Sequence, residues 1–481
     1  MDQNRLIYKN NFSFKQFKKK LSVNSNQYLK KSTIKVLILG SGFAGIEVLK
    51  QLQRMGKNFD VEIILVSKDN FFLFTPMLPE VVSGMIEIRH IVTPVRTFCK
   101  NARFYEADIK SIDLKNKNVV ISTDIGRASN PIYRDTRTLS YNYLVIALGS
   151  ETNFFHMNDI ERYALKIKTI EDAIILRNHI ISMLEQASIE QDKVELRKCL
   201  LTFVVVGGGF SGIEIAGVLN DFIKETVKRF YKNISTDEIN IILVNGQDKI
   251  LPEVSEELGE YAMKKLMIKG VKFIMKTHVV GATVDTVKLR EDYVIPTFTL
   301  IWTAGIIPSN HDIITNLQCN HNKDGKLVTN RYLQIPEYSN VYALGDCASI
   351  PDPHTGKDYP PTAQNAIEEG KLAAKNIIYS IKEKSYCKKE FRYNSKGMMA
   401  QIGSRTGVAQ LFGHNFHGFA AWWLWRTFYL YNLPTIDKKL KVTGDWTADL
   451  FFKPDMTMIK NGPLDKKYDR DLTDIIKNTN N

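Results

Sequence analysis

Val36-Leu37-Ile38-Leu39-Gly40-Ser41-Gly42-Phe43-Ala44-Gly45-Ile46-Glu47 decides the fold of this chain. It returns, little changed, as Phe203-Val204-Val205-Val206-Gly207-Gly208-Gly209-Phe210-Ser211-Gly212-Ile213-Glu214. Each copy is a short apolar run followed by G-x-G-F-x-G-I-E. The run reads as a buried parallel strand and the stretch after the glycines as a helix. Gly40 and Gly207 allow the tight turn between them. Gly42 and Gly209 let backbone approach a diphosphate, and Gly45 and Gly212 let the helix pack close on its strand. The diphosphate then sits at the helix N-terminus, where free N–H groups and the dipole favour anions. A second apolar run follows each copy, at 61–66 and 239–244. One such fingerprint is a weak signal; two, each in its βαβ context, predict two dinucleotide sites.

Two sites, one holding its nucleotide and one exchanging it, suit a flavin plus a nicotinamide. The acid that usually ends the second strand and holds a ribose hydroxyl is replaced by Ser67 in the first unit and Asn245 in the second. Either can bond a hydroxyl and neither repels a 2′-phosphate, so NADH and NADPH both stay open. Tyr143-Leu144-Val145-Ile146-Ala147-Leu148-Gly149 and Leu300-Ile301-Trp302-Thr303-Ala304-Gly305 are strands ending in small residues, where chain crossings pass close to a cofactor. Val341-Tyr342-Ala343-Leu344-Gly345-Asp346 delivers an Asp to a strand's C-terminal end, the end at which parallel sheets bind ligands. These pieces predict an α/β chain with two Rossmann-like dinucleotide-binding domains, and the aromatic stretch at 416–433 adds a candidate C-terminal membrane-associating region. The expected boundaries are a basic extension at 1–32, an FAD-binding domain in two parts at 33–152 and 307–395, an NAD(P)H-binding domain at 153–306, and the C-terminal region at 396–481.

The 481 residues allow two or three domains, and the net charge is +13. Residues 1–32 carry eight of the basic groups against the single acid Asp2 and lack the apolar stretch of a secretory signal. They read as a solvated tail, with a basic arm on an anionic membrane or an organelle-targeting segment as the sharper alternatives. Cys99, Cys199, Cys319, Cys347 and Cys387 form no C-x-x-C pair, which argues against a zinc site and against a disulfide framework. No metal and no nucleic acid is expected. No uninterrupted 18-residue apolar run occurs, so no ordinary membrane span is expected, and a chain without spans pumps no protons by itself.

In this order the motifs resemble the flavoprotein disulfide-reductase superfamily and, within it, the type II NADH:quinone oxidoreductases. The resemblance runs from about 33 to 455. Its specific parts are Asn70-Phe71-Phe72-Leu73-Phe74-Thr75-Pro76-Met77-Leu78-Pro79, the second fingerprint, Pro361-Thr362-Ala363-Gln364-Asn365-Ala366, and Met399-Ala400-Gln401-Ile402-Gly403. The resemblance implies FAD as bound cofactor and a nicotinamide nucleotide as donor. It implies a quinone site at Ala363, Gln364, Ala366 and Ile367, beside the flavin. It links Glu214 to proton or charge relay between nicotinamide and flavin; the competing reading is an acid favoured by the helix dipole, as its counterpart Glu47 illustrates. Glu368 and Glu369 follow where the family often has a Gln. No C-x-x-x-x-C follows the first fingerprint helix, so disulfide reduction is not expected. Sulfide:quinone oxidoreductase is the alternative, with Cys347 beside Asp346 as its one candidate sulfur, and a non-catalytic flavin-binding redox sensor is the alternative of another class.

Residues 416–433 hold Phe416, Phe419, Trp422, Trp423, Trp425, Phe428, Tyr429, Tyr431 and Leu433, with Arg426 among them and Lys438, Lys439 and Lys441 just after. Trp and Tyr favour the headgroup zone, and a helix lying in that zone fits. The competing reading is a core or dimer-interface helix. The resemblance favours a monotopic anchor with the Trp422–Trp423–Trp425 cluster facing lipid. The expected partners are a membrane quinone, a bilayer surface and a second copy of the chain. The expected place is the cytoplasmic face of the cell membrane, with an organelle inner membrane as the second placement.

Overall fold

The computed structural model describes residues 33–56, 59–127, 130–395, 397–452 and 455–458. The basic extension at 1–32, and what was expected of it, lies outside the described residues. The chain opens with β1 (Ile34–Leu39), α1 (Phe43–Met55), β2 (Val61–Ser67), α2 (Leu78–Val82), β3 (Ala102–Glu106) and β4 (Tyr143–Ile146). It continues with α3 (Ile170–Ile189), β5 (Thr202–Val206), α4 (Phe210–Phe230), β6 (Asn240–Asn245), β7 (Val271–Met275) and β8 (Thr299–Trp302). Then come β9 (Gln334–Ile335), β10 (Tyr338–Ala343), α5 (Ala363–Ile381), β11 (Gly397–Gln401), β12 (Gly407–Leu411), β13 (His414–His417), α6 (Gly418–Asn432) and α7 (Ile436–Phe451).

The first sheet has the order β9-β10-β4-β1-β2-β3, parallel from β10 to β3. The second, β7-β6-β5-β8, is parallel throughout. Because the first sheet draws strands from both sides of the second in sequence, the second module is inserted into the first. Helix α1 packs on β1 and β2 and helix α4 on β5 and β6, and the strands are continuous apolar runs buried on both faces: Val36, Leu37, Ile38 and Leu39 are all fully buried. Long α3 begins at a capping box, where Thr169 Oγ1 accepts from the Asp172 N–H and the Asp172 carboxylate accepts from the Thr169 N–H.

A three-stranded antiparallel sheet, β11-β12-β13, then leads into α6 and α7. This region is bolted to the first module. Lys438 Nζ donates to the Arg89 carbonyl at 2.7 Å, and Trp446 Nε1 donates to Glu80 Oε2 at 3.0 Å. Among the described residues no helix is long and apolar enough to cross a membrane.

The expected lipid-facing tryptophan cluster needs correcting. Trp422 and Trp425 are 7% and 1% exposed, and only Trp423, at 55%, faces outward. The reason is helical period: 422, 425 and 429 fall on the inner face of α6, whereas 419, 423 and 431 fall on the outer one. Both faces of this helix are apolar, so the run of aromatics does not tell them apart.

Candidate functional site

Both fingerprint turns form as their glycines require. Gly40 and Gly207 have φ of +102° and +116°, in the left-handed region that side chains resist. A Cβ on Gly45 would lie 2.0 Å from the Gly40 carbonyl oxygen, and one on Gly212 would lie 1.9 Å from that of Gly207. A Cβ on Gly42 or Gly209 would meet nothing within 4 Å. These two glycines are the N-caps of α1 and α4, neither end has a side-chain cap, and neither first turn carries an acid. Two helix N-termini therefore present free N–H groups to open space, a cradle for an anion.

A cleft of about 870 Å³ runs from the first of these turns through the molecule. Its first end is lined by Gly40, Gly42, Phe43 and Ala44, by Ser67 at the end of β2, and by Ala147 and Gly149 after β4. Ser67 Oγ lies 2.8 Å from Ser41 Oγ. Gly345 and Asp346 follow from β10. Asp346 Oδ2 accepts from Ser150 Oγ at 2.6 Å, and Ser150 Oγ accepts from Lys168 Nζ at 3.1 Å. Burial pulls the Lys168 ammonium below the usual lysine range, against the Asp346 charge that raises it.

The N-terminus of α5 adds Ala363, Gln364, Ala366 and Ile367 to the wall. Gln364 Oε1 accepts from the Tyr393 hydroxyl at 3.3 Å. Glu369 turns away from the cleft. It is 3% exposed, its Oε2 accepts from the Gly345 N–H at 2.6 Å, and burial pushes its carboxyl up to about 7. It thus fastens α5 to the Asp346 turn.

From the second fingerprint, Phe210, Ser211 and Glu214 reach the same cleft. Glu214 Oε1 accepts from Trp425 Nε1 at 3.1 Å and from the Gln401 N–H at 3.2 Å. Burial dominates those two bonds and pushes its carboxyl up to about 8, so it holds its proton at neutral pH. Phe428, Tyr429 and Asn432 of α6 close the far wall.

Gly207, Gly209, Gly212, Ala304 and Gly305 stay outside the cleft, around the second turn. Asn245 is there too, but its amide is already engaged. Its Oδ1 accepts from the Gly208 N–H at 3.1 Å, while Nδ2 donates to the carbonyls of Lys249 at 2.9 Å and Gln247 at 3.3 Å. That side chain ties the loop after β6 to the fingerprint turn, a duty the neutral residue type alone does not reveal.

Several site residues carry no signal in the sequence: Ser150, Lys168 and Tyr393. Trp425, expected to face lipid, and Tyr429 line or brace the inner side instead. Their signal was their spacing of four on α6, which puts both on one face. Cys347 is fully buried, with Sγ against the Leu344 carbonyl at 3.3 Å, and no cysteine lines the cleft. Burial pushes its thiol up to about 11.

The comparisons with known proteins agree with this geometry. The family model described as pyridine nucleotide-disulphide oxidoreductase matches residues 34–370, and the one described as NDH2 C-terminal domain matches 395–455. A protein of Dictyostelium discoideum named probable NADH dehydrogenase is 31% identical over 425 residues, covering 88% of this chain and 91% of that one. The Mycobacterium tuberculosis protein named type II NADH:quinone oxidoreductase Ndh is 30% identical over 424 residues, covering 86% and 87%. The solved structure of NDH2 from Plasmodium falciparum in complex with NADH superposes with a TM-score of 0.80 at 21% identity, covering 88% of this chain and all of that one. The sulfide:quinone oxidoreductase of Aquifex aeolicus shares the fold at a TM-score of 0.63 and 18% identity, covering 86% and 92%. The chain belongs to the pyridine nucleotide-disulphide oxidoreductase family. Within it, the chain-long identity and the matching C-terminal domain put it among the type II NADH:quinone oxidoreductases.

Proposed function

We propose that the protein oxidises NADH through a bound FAD and reduces a membrane quinone, without moving protons across the bilayer. One observation carries this reading. A single cleft joins the first fingerprint turn, residues of the second fingerprint helix, and the Gln364 segment. On this reading 33–152 and 307–395 hold FAD, 153–306 binds the nicotinamide nucleotide, and 396–481 meets the membrane.

The residues present fit FAD: the open space before Gly42 admits a diphosphate, and Asp346 lies in the cleft for a hydroxyl of the flavin's chain. Bound FAD would accept a hydride equivalent and pass two electrons on. The chain's own residues do the rest. Helix α4 holds the donor's diphosphate at its free N-terminus, the walls exclude water, and Gln364 orients the acceptor with Tyr393 bracing its amide oxygen. Glu214, protonated at neutral pH, holds a proton between donor and acceptor.

The exposed face of α6 and α7 supports membrane contact: Phe419, Trp423 and Tyr431 on α6, with Ile436, Leu440 and Phe451 on α7, are all more than half exposed. Sulfide as donor is disfavoured because Cys347 stands outside the cleft.

The test is purified holoprotein with NADH, NADPH and sulfide as donors to a short-chain quinone. NADH is expected to bleach the flavin and quinone to restore it. Gln364→Ala should slow the second step in stopped flow and leave the first nearly unchanged. Turnover with sulfide that Cys347→Ser abolishes would replace this reading by the sulfide one. Bound flavin with no turnover would make the protein a sensor.

A further inference from the structure

Three side chains in the cleft wall form one line of hydrogen bonds. Lys168 Nζ donates to Ser150 Oγ at 3.1 Å, and Ser150 Oγ donates to Asp346 Oδ2 at 2.6 Å. All three residues line the cleft. They come from separate parts of the fold. Ser150 opens the short strand Ser150–Thr152 after β4, Lys168 stands just ahead of the N-cap of α3, and Asp346 follows β10. A lysine ammonium can only donate, so Ser150 accepts from it and commits its own hydroxyl proton to Asp346. The direction of the line is therefore fixed. Asp346 Oδ2 is taken, and Oδ1 has no hydrogen-bond partner among the described residues.

The backbone beneath each of the three is held independently. The Lys168 N–H donates to Asp172 Oδ2 at 3.0 Å, within the capping box that starts α3. Ser150 pairs with Pro308 in a two-stranded antiparallel sheet. The Asp346 turn is fastened from the other side by Glu369, which accepts from the Gly345 N–H. What the backbone leaves free is the rotation of the Asp346 carboxylate, and the hydrogen bond from Ser150 sets it. The ammonium at the head of the line holds an unfavourable place. Burial and Lys326 oppose its charge while Asp346 supports it, and a helix N-terminus is the wrong end for a cation. Ser150 is its one hydrogen-bond partner among the described residues.

We propose that Lys168 is a positioning residue for FAD. Acting through Ser150, it locks the Asp346 carboxylate so that Oδ1 is left free for a hydroxyl of the flavin's chain. Lys168 reaches Asp346 only through the serine, so the three side chains work as one unit. The proposal rests on the assignment of FAD to this cleft given above.

The test reads release of FAD from the holoenzyme and does not depend on turnover. Holoenzyme is diluted, and the fluorescence of released flavin gives the dissociation rate. Lys168→Met keeps the stem, loses the donor, and should speed release about tenfold, the scale of one hydrogen bond to a charged group. Ser150→Ala should speed it as much. The double variant Lys168→Met/Ser150→Ala should go no further, because both changes cut the same line. Lys168→Arg keeps a donor and should restore most of the retention. A lysine that served only the stability of α3 would lower the denaturant midpoint instead, and its effect would add to that of Ser150→Ala. Native release in folded Lys168→Met or in Ser150→Ala overturns the proposal, as do effects that add in the double variant. Ser150→Ala loses a single hydroxyl, so it carries the test where Lys168→Met fails to fold. Asp346→Ala separates the proposal from the reading beneath it. Rapid release there, with native release in Lys168→Met, sinks only the role of Lys168. Native release in Asp346→Ala, or native protein that purifies without flavin, sinks both.

Discussion

Gly42 and Gly45 stand three residues apart in one turn and should respond oppositely to an added side chain. A side chain at 42 enters open space where the diphosphate is expected, while one at 45 is driven into the Gly40 carbonyl. Gly42→Val should therefore fold and melt near the native temperature yet purify without flavin absorbance. Gly45→Ala should lose stability by about 1–3 kcal/mol through overpacking. A Gly42→Val protein that keeps its flavin would remove the first turn from the cofactor site. Asn245 makes a second contrast. Asn245→Asp keeps an acceptor for the Gly208 N–H but sets a carboxylate against the carbonyls of Gln247 and Lys249. Two lost bonds and one charge facing two oxygens should cost about 1–3 kcal/mol, read as a lowered midpoint in denaturant. Unchanged stability, with kcat/KM falling for NADPH alone, would return Asn245 to the nucleotide's ribose.

At the scale of an element, helix α6 does two jobs on two faces. Its inner face packs Trp425, edge-on to Tyr429 at 4.6 Å between ring centres, and bonds Glu214. Its outer face carries Trp423. Trp425→Ala should cost about 3–5 kcal/mol, as deleting a buried Trp does, and should also change the titration of Glu214. Trp423→Ser should leave the denaturant midpoint nearly in place, and equal losses in the two variants would show the outer face to be core as well. This helix also marks where sequence reading stopped. The βαβ units, with Gly40–Glu47 matching Gly207–Glu214, were legible because a Cβ at Gly45 or Gly212 would strike the carbonyl of its own turn and one at Gly42 or Gly209 would enter the open space before its helix. Asp346 and Gln364 were legible because strand ends and helix starts fix where a side chain emerges. Glu80, Lys168 and Tyr393 were not, since their partners lie far off in sequence: Glu80 meets Trp446 across 366 residues. The two faces of α6 were not separable because apolar residues that meet a core and apolar residues left exposed look alike in a sequence.

For the whole molecule, the question is what holds it to a membrane. The exposed stripe of α6 and α7 offers apolar area, and the net charge of +13 offers attraction to anionic lipid. The two contributions have different signatures. Apolar insertion is insensitive to salt, whereas attraction of surface charges fades as the screening length falls below about 10 Å, near 0.1 M salt. Replacing Phe419, Trp423, Leu440 and Phe451 together by Ser should remove the first contribution without touching the cleft, since none of these side chains lines it. The quadruple variant should bind neutral liposomes weakly at any salt and anionic liposomes only at low salt. It should turn over a water-soluble quinone at the native rate and a long-chain quinone in bilayers poorly, because Phe428, Tyr429 and Asn432 carry the cleft wall onto the same helix. Deleting residues 1–32 should have the converse effect, weakening binding to anionic liposomes at low salt and sparing binding to neutral ones. Firm binding of the folded quadruple variant to neutral liposomes at high salt would sink the reading of this face as the anchor.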